Sequence, residues 1–171
     1  MLQRAFDAAM VALSAVGTAG AIWLVLGVVA AWLRRSRTAG VWQMVLALVL
    51  VSILGNSIMK PMVHRPRPPL TAADQALTSE RPSTWSFPSG HAASAAAAAY
   101  VLSRVWPAAS IPLWVLAGAI AFSRWYLGMH YGTDVIAGAL LGLGVAWFVV
   151  GGTRWSLQPS SGNPPTSQAT T

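Results

Sequence analysis

The chain has 171 residues, 55% of them hydrophobic and only 9% charged, with a net charge of +7 and no cysteine. Soluble domains carry about 25% charged residues, so this chain has too little polar surface to wet a globule. It also has no disulfide, no thiolate nucleophile and no cysteine-bound metal. The positive charge is nearly all arginine, placed at the ends of apolar runs. That is where topology signals and ligands sit, so the expected partner is the lipid bilayer and not nucleic acid.

In chain order, residues 1–13 carry Leu2, Phe6, Met10 and Leu13 at helical spacing, which suits an interfacial helix ahead of the first span. Residues 11–33 and 41–59 hold no ionisable side chain. At 1.5 Å per residue the second run extends ~28 Å, close to the hydrocarbon thickness of a bilayer. The first run is too long for a signal-peptide core, and Arg34, Arg35 and Arg37 follow it rather than precede it, so a cleaved leader is not expected. Further spans are expected at 89–106, 112–126 and 133–150. The fold class is therefore all-α, a polytopic membrane bundle of about five transmembrane helices forming one domain over residues 1–150. Residues 151–171 are mostly Gly, Ser, Pro, Thr and Gln, and a disordered tail is expected there. Gly138 and Gly142 form a G-x-x-x-G pair in the fifth span. Ala93 and Ala97 are spaced alike in the third, so close helix packing is expected at both. The sequence carries no signal for oligomeric state.

Polar residues gather at one end of spans two to five. Lys60 ends the second span, and Arg67 follows seven residues on. Ser89, Gly90 and His91 open the third span. Ser123 and Arg124 close the fourth, and His130 and Asp134 open the fifth. Each could be an ordinary interfacial residue taken alone, but Asp134 precedes a long apolar run in a chain with only 4 acids. On a helix, His130 and Asp134 are i and i+4 and share a face. A carboxylate there fixes the histidine tautomer and raises its basicity. Three cations, a hydroxyl and a glycine at a helix start suit an anion with several oxygens. Helix N-termini attract such anions, and Gly90 lets the backbone approach closely. Phosphate is the simplest candidate. The histidine oriented by Asp134 would then attack phosphorus, and His91 would protonate the leaving oxygen.

The stretches "KPMVHRPRP", "PSGH" and "SRWYLGMHYGTD" resemble, in order and in spacing, the three-part signature of the type 2 phosphatidic acid phosphatase superfamily, K-x6-R-P, P-S-G-H and S-R-x5-H-x3-D. The resemblance implies that Lys60, Arg67, Ser89, Gly90 and Arg124 bind the substrate phosphate. It implies His91 as general acid, His130 as the nucleophile of a phosphohistidine intermediate and Asp134 as its partner, with no metal and no cofactor. Arg65-Pro66 offers a competing frame, but only Arg67-Pro68 has the x6 spacing. His64 falls outside the signature and reads as a loop residue. Members of this family often have six spans, one more ahead of the lysine than this chain offers.

The expected activity is hydrolysis of a lipid phosphomonoester or diphosphate at the membrane, with a polyprenyl lipid favoured. Phosphatidylglycerol phosphate, phosphatidic acid and decaprenylphosphoryl phosphoribose are the alternatives. A vanadium haloperoxidase shares this anion site but is far larger and not built from spanning helices. A non-catalytic binder of lipid phosphate would need the cations but not the His130–Asp134 pair. A metallohydrolase is disfavoured because three cations would repel a divalent ion. With five alternating spans, Arg34, Arg35, Arg37, Arg104 and Arg154 fall on one side. Once the three phosphate ligands are excluded, Arg4, Arg65 and Arg81 fall on the other. The positive-inside rule then places the protein in the cell membrane with its active site on the extracytoplasmic face.

Overall fold

The computed structural model describes residues 1–33, 38–71, 77 and 84–156. Arg34, Arg35, Arg37, Asp74, Glu80 and Arg81 lie outside the described residues, as does the expected tail from residue 157 onward. The described chain is helical: α1 (Leu2–Val16), α2 (Ala21–Leu33), α3 (Thr38–Ser52), a π-helical segment (Ile53–Met59), α4 (Lys60–Val63), α5 (Gly90–Val105), α6 (Ser110–Tyr126) and α7 (Gly132–Ser156). The fold is thus the expected all-α membrane bundle, and the protein is a multi-pass membrane protein. Helix α7 takes in residues 151–156, which composition alone had assigned to the tail.

The span count differs from the expected five. Among the described residues, three helices are long and apolar enough to cross a bilayer, residues 39–63, 107–126 and 132–152, and α1 with α2 makes a fourth if that bent pair is one span. The first expected span is not continuous. The chain passes through a 3₁₀ turn at Thr18–Gly20, and α1 leaves α2 at 69°. Gly20 has φ +72°, a left-handed conformation that glycine adopts without strain. The third expected span, α5, has 16 residues, a rise of about 24 Å.

Helix α5 can be short because it lies inside the bundle. It packs against α7, α6 and α3, and the alanine run from Ala95 to Ala99 is buried throughout. Alanine suits this position because a one-carbon side chain lets three neighbours come close. The Gly138/Gly142 pair does what its spacing suggests. A Cβ on Gly138 would collide with the Ser89 carbonyl oxygen, and one on Gly142 with that of Ala93. Helix α7 therefore lies backbone to backbone against the first turns of α5. The Ser89 N–H also donates to the Asp134 carbonyl at 3.0 Å. The starts of α5 and α7 are thereby locked together, and both carry candidate site residues.

Candidate active site

Lys60 follows the π-helical segment directly. Pro61 supplies a physical reason for the wider turns, because its ring clashes with the carbonyl four residues back in a regular α-helix. Such segments recur at functional sites. Here the segment turns Asn56 toward the start of α5, where a Cβ on Gly90 would lie 3.8 Å from Asn56 Oδ1. Helix α5 opens with Ser89 as N-cap, its hydroxyl accepting from the Ala92 N–H at 3.5 Å. That bond satisfies one of the donors every helix start leaves over.

These elements surround a cavity of about 250 Å³. Lys60, Arg67, Gly90, His91, Arg124 and His130 line it, together with Asn56, Thr84, Ser94 and Ser52. The three stretches that sequence reading singled out therefore meet at one place, although they come from four elements and two connections. Two expected site residues stand behind the wall. Ser89 and Asp134 are both fully buried but are not among the residues lining the cavity. The Ser89 hydroxyl is committed to capping α5, and its N–H to the Asp134 carbonyl.

Two of the cations, Arg67 and Arg124, are held by neighbours. Arg67 donates from Nε to the Thr84 carbonyl at 2.9 Å and from Nη2 to Thr84 Oγ1 at 3.2 Å. Its Nη1 donates to the Met129 carbonyl at 2.7 Å and lies 3.3 Å from His130 Nε2. Arg124 is buried, and its Nη1 donates to the Ser14 hydroxyl of α1. Helix α1 is itself fastened to the same end of α6. Tyr126 donates to Asp7 Oδ1 at 2.7 Å, and Phe6 packs edge-on against the Tyr126 ring. Gly17 at the end of α1 lies against His91, where a Cβ would approach the ring to 3.0 Å.

His130 is nearly fully buried in the link between α6 and α7. Its N–H donates to the Arg124 carbonyl at 3.2 Å. Burial, then Arg67 and then Arg124, push the imidazole well below its ordinary range. The ring is therefore neutral at neutral pH, with one nitrogen lone pair available. Nε2 is on the Arg67 side and Nδ1 is 3.8 Å from Asp134 Oδ2. Asp134 is held from three directions: Ser86 Oγ and the Tyr131 N–H (2.9 Å) donate to Oδ2, and Arg65 Nη1 donates to Oδ1 at 2.7 Å. Among the described residues, His91 Nε2, Arg124 Nε and His130 Nδ1 are buried with no hydrogen-bond partner in the protein. A cavity with cations on several sides, a neutral imidazole at its wall and a second imidazole at a helix start can accept a tetrahedral oxyanion and move protons to and from it.

Sequence reading missed Ser14, Asn56, Thr84 and Ser86. Ser86 alone had a local signal, standing two residues before the P-S-G-H stretch. Arg65, the arginine of the competing frame, is the ion-pair partner of Asp134. His64 is exposed, as expected for a loop residue, and closes α4 with φ +49° while its ring meets Trp85 edge-on.

The PAP2 superfamily, that of the type 2 phosphatidic acid phosphatases, matches residues 40–157. A decaprenylphosphoryl-5-phosphoribose phosphatase of Mycobacterium tuberculosis is 38% identical over 135 residues, covering 77% of this chain and 73% of that protein. An undecaprenyl-diphosphatase of Sulfolobus acidocaldarius is 30% identical over 133 residues, covering 75% of this chain and 62% of that protein. The crystal structure of a transmembrane PAP2 type phosphatidylglycerolphosphate phosphatase from Bacillus subtilis superposes with a TM-score of 0.69 at 27% identity, covering 91% of this chain and 79% of that one. A match over most of the chain, with the three signature stretches converging on one cavity, means that the chain belongs to the PAP2 superfamily and is a membrane phosphatase.

Proposed function

We propose that the protein hydrolyses a polyprenyl lipid phosphate through a phosphohistidine on His130, without a metal. The observation that carries this reading is the orientation of His130, whose Nε2 is beside the cavity-lining Arg67 and whose Nδ1 is toward Asp134. A proton on Nδ1 leaves the lone pair on Nε2, where phosphorus would stand. Lys60, Arg67 and Arg124 bind the phosphoryl oxygens, helped by the start of α5 at Gly90. Ser89 contributes by capping that helix and holding its backbone in place.

The first step forms a bond from His130 Nε2 to phosphorus and breaks the bond from phosphorus to the lipid oxygen. His91, held as the imidazolium once the bound phosphate offsets the charge of the surrounding cations, gives that oxygen its proton and is left neutral. In the second step His91 takes a proton from water, whose oxygen attacks phosphorus and releases phosphate from His130. Asp134 stabilises the imidazole as its charge changes, as an orienting carboxylate does. The 3.8 Å gap from Asp134 to His130 is compatible with this role, because catalytic hydrogen bonds often tighten only once substrate is bound.

The polyprenyl preference draws support from the two relatives above, whose names specify decaprenyl and undecaprenyl substrates. The test is phosphate release from a panel of lipids in detergent: undecaprenyl diphosphate, decaprenylphosphoryl phosphoribose, phosphatidylglycerol phosphate and phosphatidic acid. The polyprenyl phosphates should turn over fastest, activity should survive EDTA, and vanadate should inhibit by mimicking five-coordinate phosphorus. Activity lost to EDTA and restored by one divalent ion would refute the metal-free reading. Faster turnover of phosphatidylglycerol phosphate would refute the polyprenyl one.

The same reading puts the site on the extracytoplasmic face. Arg65 is committed to Asp134, so it drops out of the topology count. With α2, α3 to α4, α5, α6 and α7 each taken as a crossing in turn, that leaves Arg4 and Arg81 against the five arginines of the opposite side. Thr71 is exposed in the coil after Arg67, and the wild type has no cysteine. In a Thr71→Cys variant the new thiol should react with a membrane-impermeant maleimide in intact spheroplasts. Labelling seen only after lysis would reverse the orientation.

A further inference from the structure

Two arginines stand two residues apart in the R-P-R-P stretch, and they serve different places. Arg67 reaches Thr84, Met129 and the cavity side of His130. Arg65 is not among the residues lining the cavity. Its Nη1 donates to Asp134 Oδ1 at 2.7 Å and to Thr133 Oγ1 at 2.7 Å. Its guanidinium lies over the Tyr131 ring, 4.1 Å from the centroid. Its carbonyl accepts from the Ser86 N–H at 2.8 Å, and Ser86 Oγ in turn donates to Asp134 Oδ2.

We propose that Arg65 is a positioning residue of the reaction, holding the Asp134 carboxylate in the orientation from which it steers His130. This rests on the reading of His130 as nucleophile and Asp134 as its partner. The physical need is plain. Asp134 is fully buried, and a buried carboxylate without a cation is severely penalised. The cations that line the cavity are required by the phosphate. Had one of them paired with Asp134, substrate binding and the carboxylate would compete for the same charge. Arg65 approaches Asp134 from outside the cavity and removes that competition. It occupies Oδ1, while Ser86 and Tyr131 fix Oδ2 on the side of His130 Nδ1. With both oxygens engaged, the carboxylate cannot rotate away from the imidazole. Pro66 and Pro68 stiffen the backbone on either side of Arg67 and narrow the conformations of the residue before each. The stretch thereby keeps its two arginines in separate roles.

Loss of a group that orients a catalytic residue through another commonly costs about 10- to 100-fold. Arg65→Ala should therefore lower kcat on an aryl phosphate about 10- to 100-fold with KM nearly unchanged, and should slow the pre-steady-state phosphorylation burst by the same factor. The decisive measurement is a double-mutant cycle with Asp134→Asn, read as kcat. If Arg65 acts through Asp134, adding Arg65→Ala to Asp134→Asn should cost less than about threefold, because coupled residues are not additive. Arg65→Lys retains the charge without the planar fork. It should lose at least about threefold in kcat and show the same collapse in the Asp134→Asn background. It carries the test if Arg65→Ala does not purify as a monodisperse species in detergent. Equal factors in both backgrounds, a raised KM at unchanged kcat, or wild-type kcat in Arg65→Lys would each overturn the proposal. An inactive wild type would instead sink the functional reading, and this inference with it.

Discussion

His130→Ala is expected to abolish turnover on every substrate, lipid or aryl, with a loss of at least ~10⁴-fold, the scale reached when a covalent nucleophile is removed. The expectation is strict because His130 would form the covalent bond and no other imidazole stands in its place. His130 Nε2 lies 3.3 Å from Arg67 Nη1, which can only donate to its lone pair, so a phosphoryl group that draws Arg67 onto its oxygens frees that lone pair beside phosphorus. The other imidazole at the cavity, His91, is half-buried in the first turn of α5, and moving it onto phosphorus would require shifting a helix locked to α7 at Ser89 and Gly138. The measurement is rapid-quench kinetics with an aryl phosphate. Wild type should show a burst of aryl oxide and an acid-labile, base-stable phosphoprotein, and His130→Ala should show neither. His64→Ala is the matched control: the ring is exposed and meets only Trp85 among the described aromatic partners, so activity should stay near wild type. A burst in His130→Ala would assign the nucleophile elsewhere.

The bundle and the cavity were legible in the sequence to different degrees, for physical reasons. Apolar runs bounded by arginine mark helices because a bilayer demands length and apolarity, so α3, α6 and α7 were readable. The glycines at 138 and 142 announced a close approach because small residues at that spacing serve little else in a membrane helix. The break between α1 and α2 was not readable. Residues 11–33 are apolar throughout, and the turn depends on Gly20 at φ +72° and on where α1 is fastened, at Tyr126 and Arg124. Hydropathy sees the first feature as one more small residue and cannot see the second. The depth of α5 was equally invisible, since sixteen residues fall short of a span by length, and only its neighbours explain why it need not face lipid.

In the site, the residues with chemistry of their own stood out, and their supports did not. Ser14 meets Arg124 across a sequence separation of 110, and Arg65 meets Asp134 across 69. A serine in an apolar helix or a second arginine in a basic stretch has no local spacing to betray its role. Ser89 has a structural role beside the phosphate contact expected of it: the hydroxyl accepts at the helix start, which is what serine does most often immediately before a helix.

The two histidines should separate in their response to the leaving group. His91 would protonate the lipid oxygen as it departs, and an alkoxide or a lipid hydroxyl depends heavily on that proton. An aryl oxide such as p-nitrophenolate leaves far more readily without it. His91→Ala should therefore lose ~10²- to 10⁴-fold on a lipid monophosphate, the range for removing a general acid, and distinctly less in the first step on an aryl phosphate. His91 is placed to deliver that proton because it lines the cavity at the first turn of α5. The same group would activate water in the second step, so the variant should stall with phosphate on His130. On an aryl substrate it should give a fast burst of about one equivalent followed by a slow steady state, and the phosphoprotein should persist. Gly17 against the ring and the alanines of α5 behind it leave no titratable side chain on those two sides to take over. Lys60 and Arg124, which also line the cavity, are cations engaged with phosphate under this mechanism. Rapid quench of His91→Ala with both substrates decides the matter: equal losses on the two, or no burst on the aryl phosphate, would show that His91 is not the acid.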